Sequence, residues 1–163
     1  MHREGHLGMA LAVYAPIGFI VALIGGLQLA LFGGIVAAGL AMLPDIDMRI
    51  PLVKHRGITH TIWFALVVGL LVGLFAVAIG SDRGTFVALG MGAFGFIVGT
   101  ISICSHLLAD ALTPAGIRPY WPRNDAEYTF GVARASNPIA NYLFLGLGIG
   151  ICAVAFRIAS AFA

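Results

Sequence analysis

Five long apolar runs leave this chain few choices of fold. The first, Leu7 to Ile24 (LGMALAVYAPIGFIVALI), contains no charged residue. As a helix it rises about 27 Å, close to the ~30 Å hydrocarbon thickness of a bilayer. A second run extends from Leu27 to Leu43 and stops at Pro44; a third covers roughly His60 to Ile79, with Thr59 placed as its N-cap. The fourth starts near Thr85 and reaches about Leu112, and the fifth opens at Asn137-Pro138 and ends near Ala161. Charged residues make up 10% of the chain and hydrophobic ones 60%, whereas a soluble domain carries about 25% charged residues. A single small soluble core could not bury so much apolar surface. The expectation is an all-α fold, a polytopic membrane bundle of about five transmembrane helices, forming one domain over residues 1–163.

Several details fit this reading. Pro16 is expected to kink the first span, which neighbouring helices in a membrane can accommodate. The 22 glycines suit closely packed spans. Cys104 and Cys152 lie inside apolar runs and read as small buried hydrophobes rather than a disulfide. The opening MHREGHLG leads directly into the first run without a cleavage pattern, so it is expected to stay in the mature chain. The net charge of +2 gives no reason to expect a nucleic acid partner.

Five spans sort the connections onto two sides. One side receives the N-terminus and the segments Pro44–Thr59 and Pro114–Ser136, with Arg3, Arg49, Lys54, Arg56, Arg118, Arg123 and Arg134; the other receives Arg83, with Arg157 inside the last span. The excess of positive charge places the first side, and the N-terminus, in the cytoplasm. All five histidines, and every acidic residue except Asp82, fall on that same side. The spans follow from apolar runs alone, so this clustering points independently to one site.

The densest part is Leu43 to Thr61, LPDIDMRIPLVKHRGITHT. Asp45 and Asp47, two apart in turn or extended backbone, can face the same way. One is expected to be a direct metal ligand and the other an orienting or second-metal carboxylate, with Asp45 the first choice because it is nearer the anchored helix end. His60 sits at the start of a span, while His55 lies in the freer loop. His106 and Asp110, four apart on a helix, share one face, and ionisable groups in a span usually mark function. His6 emerges from the first span at the same level, whereas His2 lies too close to a chain end to count. A set rich in nitrogen and oxygen donors and lacking sulfur suits Zn²⁺, and also Mn²⁺ or Fe²⁺. More than four candidate ligands hints at two ions, a recurrent device for phosphoester hydrolysis.

LPDID followed by HRGITHT, a histidine near the N-terminus, and SHLLAD-x2-TPAG further on resemble the YdjM-like membrane-bound metal-dependent hydrolases. The resemblance covers most of the chain. That family is in turn similar to the helical zinc-dependent phospholipase C and nuclease superfamily. There an Asp, a His and an H-x3-D pair hold one zinc, a pattern that falls here on Asp45, His60, His106 and Asp110. His6 would match a histidine of the neighbouring metals. No histidine follows His106, so the superfamily's later His-x3-Glu pair has no counterpart.

The expected activity is therefore metal-dependent hydrolysis of a phosphoester, lipid or lipid-linked, at the cytoplasmic face of the cell membrane. His6, Asp45, His60, His106 and Asp110 are the candidate metal ligands. Asp47 or His55 would serve as general base or orienting group, and Arg56 completes the catalytic candidates. Arg56, Arg118 and Arg134 are the candidate anion clamps. Two alternatives belong to other classes: a divalent metal-ion transporter, which would need ligands deep in the membrane, and a non-catalytic scaffold stabilised by metal, which would need a closed coordination shell.

Overall fold

The structure is a computed structural model that describes residues 1–162. Five α-helices dominate it: α1 (Arg3–Gly25), α2 (Leu27–Leu40), α3 (Ile62–Gly80), α4 (Thr85–Ala111) and α5 (Pro138–Ala159). All five coincide with segments long and apolar enough to cross a membrane, and no β-strand occurs among the described residues. The expected all-α bundle is what the chain forms. Helix α1 continues through Pro16, and Gly26, at φ +89°, makes the whole connection to α2.

Two boundaries differ from the sequence expectation. Helix α2 stops at Leu40, and Pro44–Arg49 forms a separate 3-10 turn. Thr59 is not the N-cap of α3: a second 3-10 turn occupies Ile58–His60, and the extended Thr61 is the cap, its Oγ1 accepting from Phe64 N at 3.2 Å. Both threonines are chemically able to cap. Thr59 is engaged elsewhere, as described below.

Helix α3 packs along α4, and α1 packs along α5 while also touching α2 and α4. Glycine governs both long seams. A Cβ at Gly99 of α4 would lie 2.9 Å from Gly69 Cα on α3. A Cβ at Gly148 of α5 would collide with the backbone of Gly8 on α1. Backbones this close gain dispersion contacts that stand in for a hydrophobic drive, which is weak between helices in lipid. Helix α2 is tied to α4 by a hydrogen bond from Ser102 Oγ to the Ala37 carbonyl.

The polar segment after α4 folds back over the end of that helix. Ile117 and Tyr128 form a single antiparallel bridge. Phe130 N and Val132 N donate to the carbonyls of Ala111 and Leu112 at 2.7 and 2.8 Å, satisfying groups that a helix terminus leaves unpaired. Ile62 N donates to the Pro119 carbonyl at 2.9 Å, so the same segment fixes the start of α3. Asn137 caps α5 by accepting from Ala140 N at 3.3 Å.

The α1–α5 seam makes a direct prediction. Gly148→Ala must push α5 off α1, and overpacking costs about 1–3 kcal/mol; Gly150→Ala, one turn-half away with nothing within 4 Å of its added Cβ, should be neutral. Thermal unfolding in detergent should show a clear drop for the first variant only. Equal melting temperatures for the two would contradict the seam.

Candidate metal centre

The site forms where four helix ends meet. Pro44 cannot donate a backbone hydrogen bond, so α2 gives way to the 3-10 turn that carries Asp45 and Asp47. The second 3-10 turn delivers His60, and the last turns of α4 deliver His106 and Asp110. His6 comes from the first turn of α1. His6, His60, His106, Asp47 and Asp110 are all buried.

Two of these groups, His60 and His106, face each other, and Asp45 and Asp110 each approach both rings. His60 Nε2 and His106 Nε2 are 3.2 Å apart. Asp45 Oδ1 lies 3.5 Å from the first and 3.4 Å from the second. Asp110 Oδ2 lies 3.6 and 3.8 Å from the same two nitrogens. Four ligands on one zinc at about 2.0–2.1 Å, set tetrahedrally, are separated by about 3.3–3.4 Å. The spacings among His60, His106 and Asp45, 3.2, 3.5 and 3.4 Å, bracket that value, and Asp110 lies slightly beyond it.

The rear of each imidazole fixes its tautomer. His106 Nδ1 is 2.7 Å from the Ala41 carbonyl; a carbonyl only accepts, so Nδ1 carries the proton. Thr59 Oγ1 donates to Asp47 Oδ2 at 2.7 Å, and its lone pairs face His60 Nδ1 at 3.0 Å. Asp47 Oδ2 itself is 3.3 Å from that nitrogen. His60 Nδ1 therefore also bears the proton. Both Nε2 atoms then present lone pairs to each other, beside two carboxylates. That is an arrangement of donors suited to a divalent cation, with the carboxylate and carbonyl behind the rings fixing their orientation.

The remaining candidates take other places. Asp47 is fully enclosed and is held on several sides: Arg56 N donates to its Oδ2 at 3.2 Å, and His55 Nδ1 lies 2.9 Å from its Oδ1. It orients His60 and does not face open space. His55 stands at the edge, its side chain 43% exposed. Arg56 pairs with Asp110, Nη2 to Oδ1 at 3.0 Å, and donates from Nη1 to the Gly116 carbonyl at 2.7 Å. The Met1 ammonium also reaches Asp110 Oδ1, at 2.5 Å. The His6 ring stacks flat on His106, centroids 3.8 Å apart, with Nε2 3.5 Å from Asp110 Oδ1 and Nδ1 buried without a hydrogen-bond partner among the described residues. His6, Asp45 and His106 are close enough to form a second group of metal donors.

Arg118 and Arg134 are not brought to this cluster. Arg118 pairs at the surface with Glu127 at 3.4 Å, and Arg134 lines a different groove beside Pro114 and Asn137. Sequence reading overlooked Thr59 as a link between Asp47 and His60. The available signal was a threonine directly before the histidine; the capping assignment hid it.

The rear bonds give a test of the centre. Thr59→Val keeps the shape and removes the hydroxyl, and loss of such an orienting partner typically costs 10–100-fold in metal affinity. Zinc affinity measured by competition with a chromophoric chelator should fall by about that factor. A dissociation constant within twofold of wild type would contradict the role given to Thr59.

No curated protein matches the chain, and no solved structure matches it. A family model does match, that of the YdjM inner membrane protein, over residues 1–162. On that match, spanning nearly the whole length, the chain belongs to the YdjM inner membrane protein family.

Proposed function

We propose that this protein is a membrane-bound metal-dependent hydrolase that cleaves a phosphoester of a lipid or lipid-linked molecule at the cytoplasmic face. The observation that carries the reading is the pair of Nε2 lone pairs at 3.2 Å, flanked by Asp45 and Asp110. His60, His106, Asp45 and Asp110 would hold a divalent ion, zinc foremost, with Mn²⁺ or Fe²⁺ the other choices for such donors. When bound, the ion supplies a Lewis acid that activates water and polarises a phosphoryl oxygen.

The chain's own residues divide the rest of the work. Asp47 and Thr59 hold His60 in one tautomer, and the Ala41 carbonyl does so for His106. Arg56 pairs with Asp110 and holds its carboxylate in place. His55, the partly exposed imidazole at the edge, would serve as the general base.

Depth favours a lipid substrate. The 14 residues of α2 rise only about 21 Å, short of the ~30 Å hydrocarbon layer. The following 3-10 turn exposes Ile46 and Met48, and Ile50 and Leu52 follow, also exposed. Apolar side chains there belong at the level of the acyl–headgroup boundary, which brings Asp45 to the lipid. The basic residues on this side support its cytoplasmic placement.

Two experiments test the reading. Metal-loaded protein in detergent is assayed against phospholipids, lipid-linked phosphates and nucleotides. Metal-dependent turnover of a lipid phosphoester, lost in His106→Gln together with bound metal, is the expected result. Absence of turnover on every substrate, with metal-dependent ion flux in proteoliposomes, would favour a transporter. For orientation, single cysteines at Ser81 and Asn124 in a cysteine-free background should label from opposite sides, Asn124 from the cytoplasm; labelling from the same side would overturn the placement.

A further inference from the structure

Among the four facing donors, Asp45 is the one that reaches an open edge. The Asp45 side chain is 12% exposed, whereas those of His60, His106 and Asp110 are at most 2% exposed. That edge gives onto a groove of about 610 Å³ between the start of α1 and the end of α2 with its 3-10 turn. Its walls are Leu7, Met42, Leu43 and Ile46, and its rim carries Arg3 and Arg49.

These two arginines differ from Arg56, the arginine that touches the donors. Arg56 is committed to Asp110 and Gly116, and Arg118 to Glu127. Arg3 and Arg49 are exposed and form no ion pair among the described residues. They occupy the first residue of α1 and the last of the 3-10 turn, so two different elements bring their charges to one groove. The carboxylate in that groove, Asp45, points its Oδ1 at His60 and His106.

Two free guanidiniums above apolar walls complement an anion joined to an apolar chain. We infer that this groove seats a phosphate-bearing lipid, with its phosphate gripped by Arg3 and Arg49 and its chain lying along Leu7, Met42 and Leu43. A guanidinium fork matches phosphate oxygens in bidentate fashion, which a lysine cannot do. The seat places the phosphate beside Asp45, at the open edge of the donors. The inference rests on the reading of the site as a metal-dependent phosphoesterase. It replaces Arg118 and Arg134 as anion clamps with Arg3 and Arg49.

The test is binding, measured by native mass spectrometry of the full chain released from non-ionic detergent and titrated with dihexanoyl phosphatidic acid. Arg3→Gln/Arg49→Gln should weaken binding at least tenfold with bound zinc unchanged, and Arg118→Gln/Arg134→Gln should change it less than twofold. Affinity of the first double variant within twofold of wild type would overturn the seat. Inorganic phosphate is titrated as a separate arm; if it binds as tightly as the lipid, the apolar half of the inference falls. Should the double variant not purify, Arg3→Gln and Arg49→Gln are read singly, each expected to lose at least threefold and each counting against the seat if unchanged. The hydrolase reading fails separately: arginine-dependent binding that survives chelation, with no turnover, keeps the groove and removes the enzyme. Full turnover of a lipid phosphoester by the double variant does the reverse.

Discussion

Two imidazole nitrogens facing each other at 3.2 Å, each backed by a fixed acceptor, organise the rest of this protein. Left alone, the pair would be unfavourable: two lone pairs oppose one another and two carboxylates crowd beside them. An unpaired buried polar group costs about 1–3 kcal/mol and a buried charge more. The surroundings answer this with opposite charge and directed hydrogen bonds. Arg56 and the Met1 ammonium converge on Asp110. Thr59, His55 and the Arg56 backbone converge on Asp47. A divalent cation between the nitrogens completes the same logic, because it turns the opposed lone pairs into ligands.

The bundle holds this arrangement through contacts that side-chain hydrophobicity does not supply. In lipid, apolar side chains are as well solvated outside as inside, so close backbones and buried hydrogen bonds must fix the geometry. Gly69 against Gly99 and Gly8 against Gly148 bring helix axes together. Ser102 and His106, one turn apart on α4, bond to the Ala37 and Ala41 carbonyls at the end of α2. That second bond belongs at once to the scaffold and to the site. Shifting α2 along α4 would reorient the His106 ring, so helix packing and donor geometry are coupled.

Much of this could be read from residues in a row. The five spans follow from apolar run length against bilayer thickness, and the common side of His6, Asp45, His60, His106 and Asp110 follows from counting crossings. Asp45 ahead of Asp47 followed from its nearness to the helix end, and the structure places Asp45 toward the facing nitrogens and Asp47 behind His60. What resisted reading was three-dimensional pairing. Thr59 and Thr61 are equivalent as caps in one dimension; only the position of Asp47 separates them. Arginines on one side of a membrane look alike in sequence, yet Arg56 and Arg118 find carboxylates while Arg3 and Arg49 line one groove. The early end of α2 depends on how Pro44 and the turn after it pack.

The central claim is that His60, His106, Asp45 and Asp110 hold one metal ion. X-ray absorption at the zinc edge, on full-length protein loaded with one equivalent of zinc, tests it most directly. The account predicts a shell of nitrogen and oxygen only, at about 2.0–2.1 Å, with the multiple-scattering signature of histidine. A zinc–sulfur distance of about 2.3 Å, or a spectrum without histidine scattering, would contradict it.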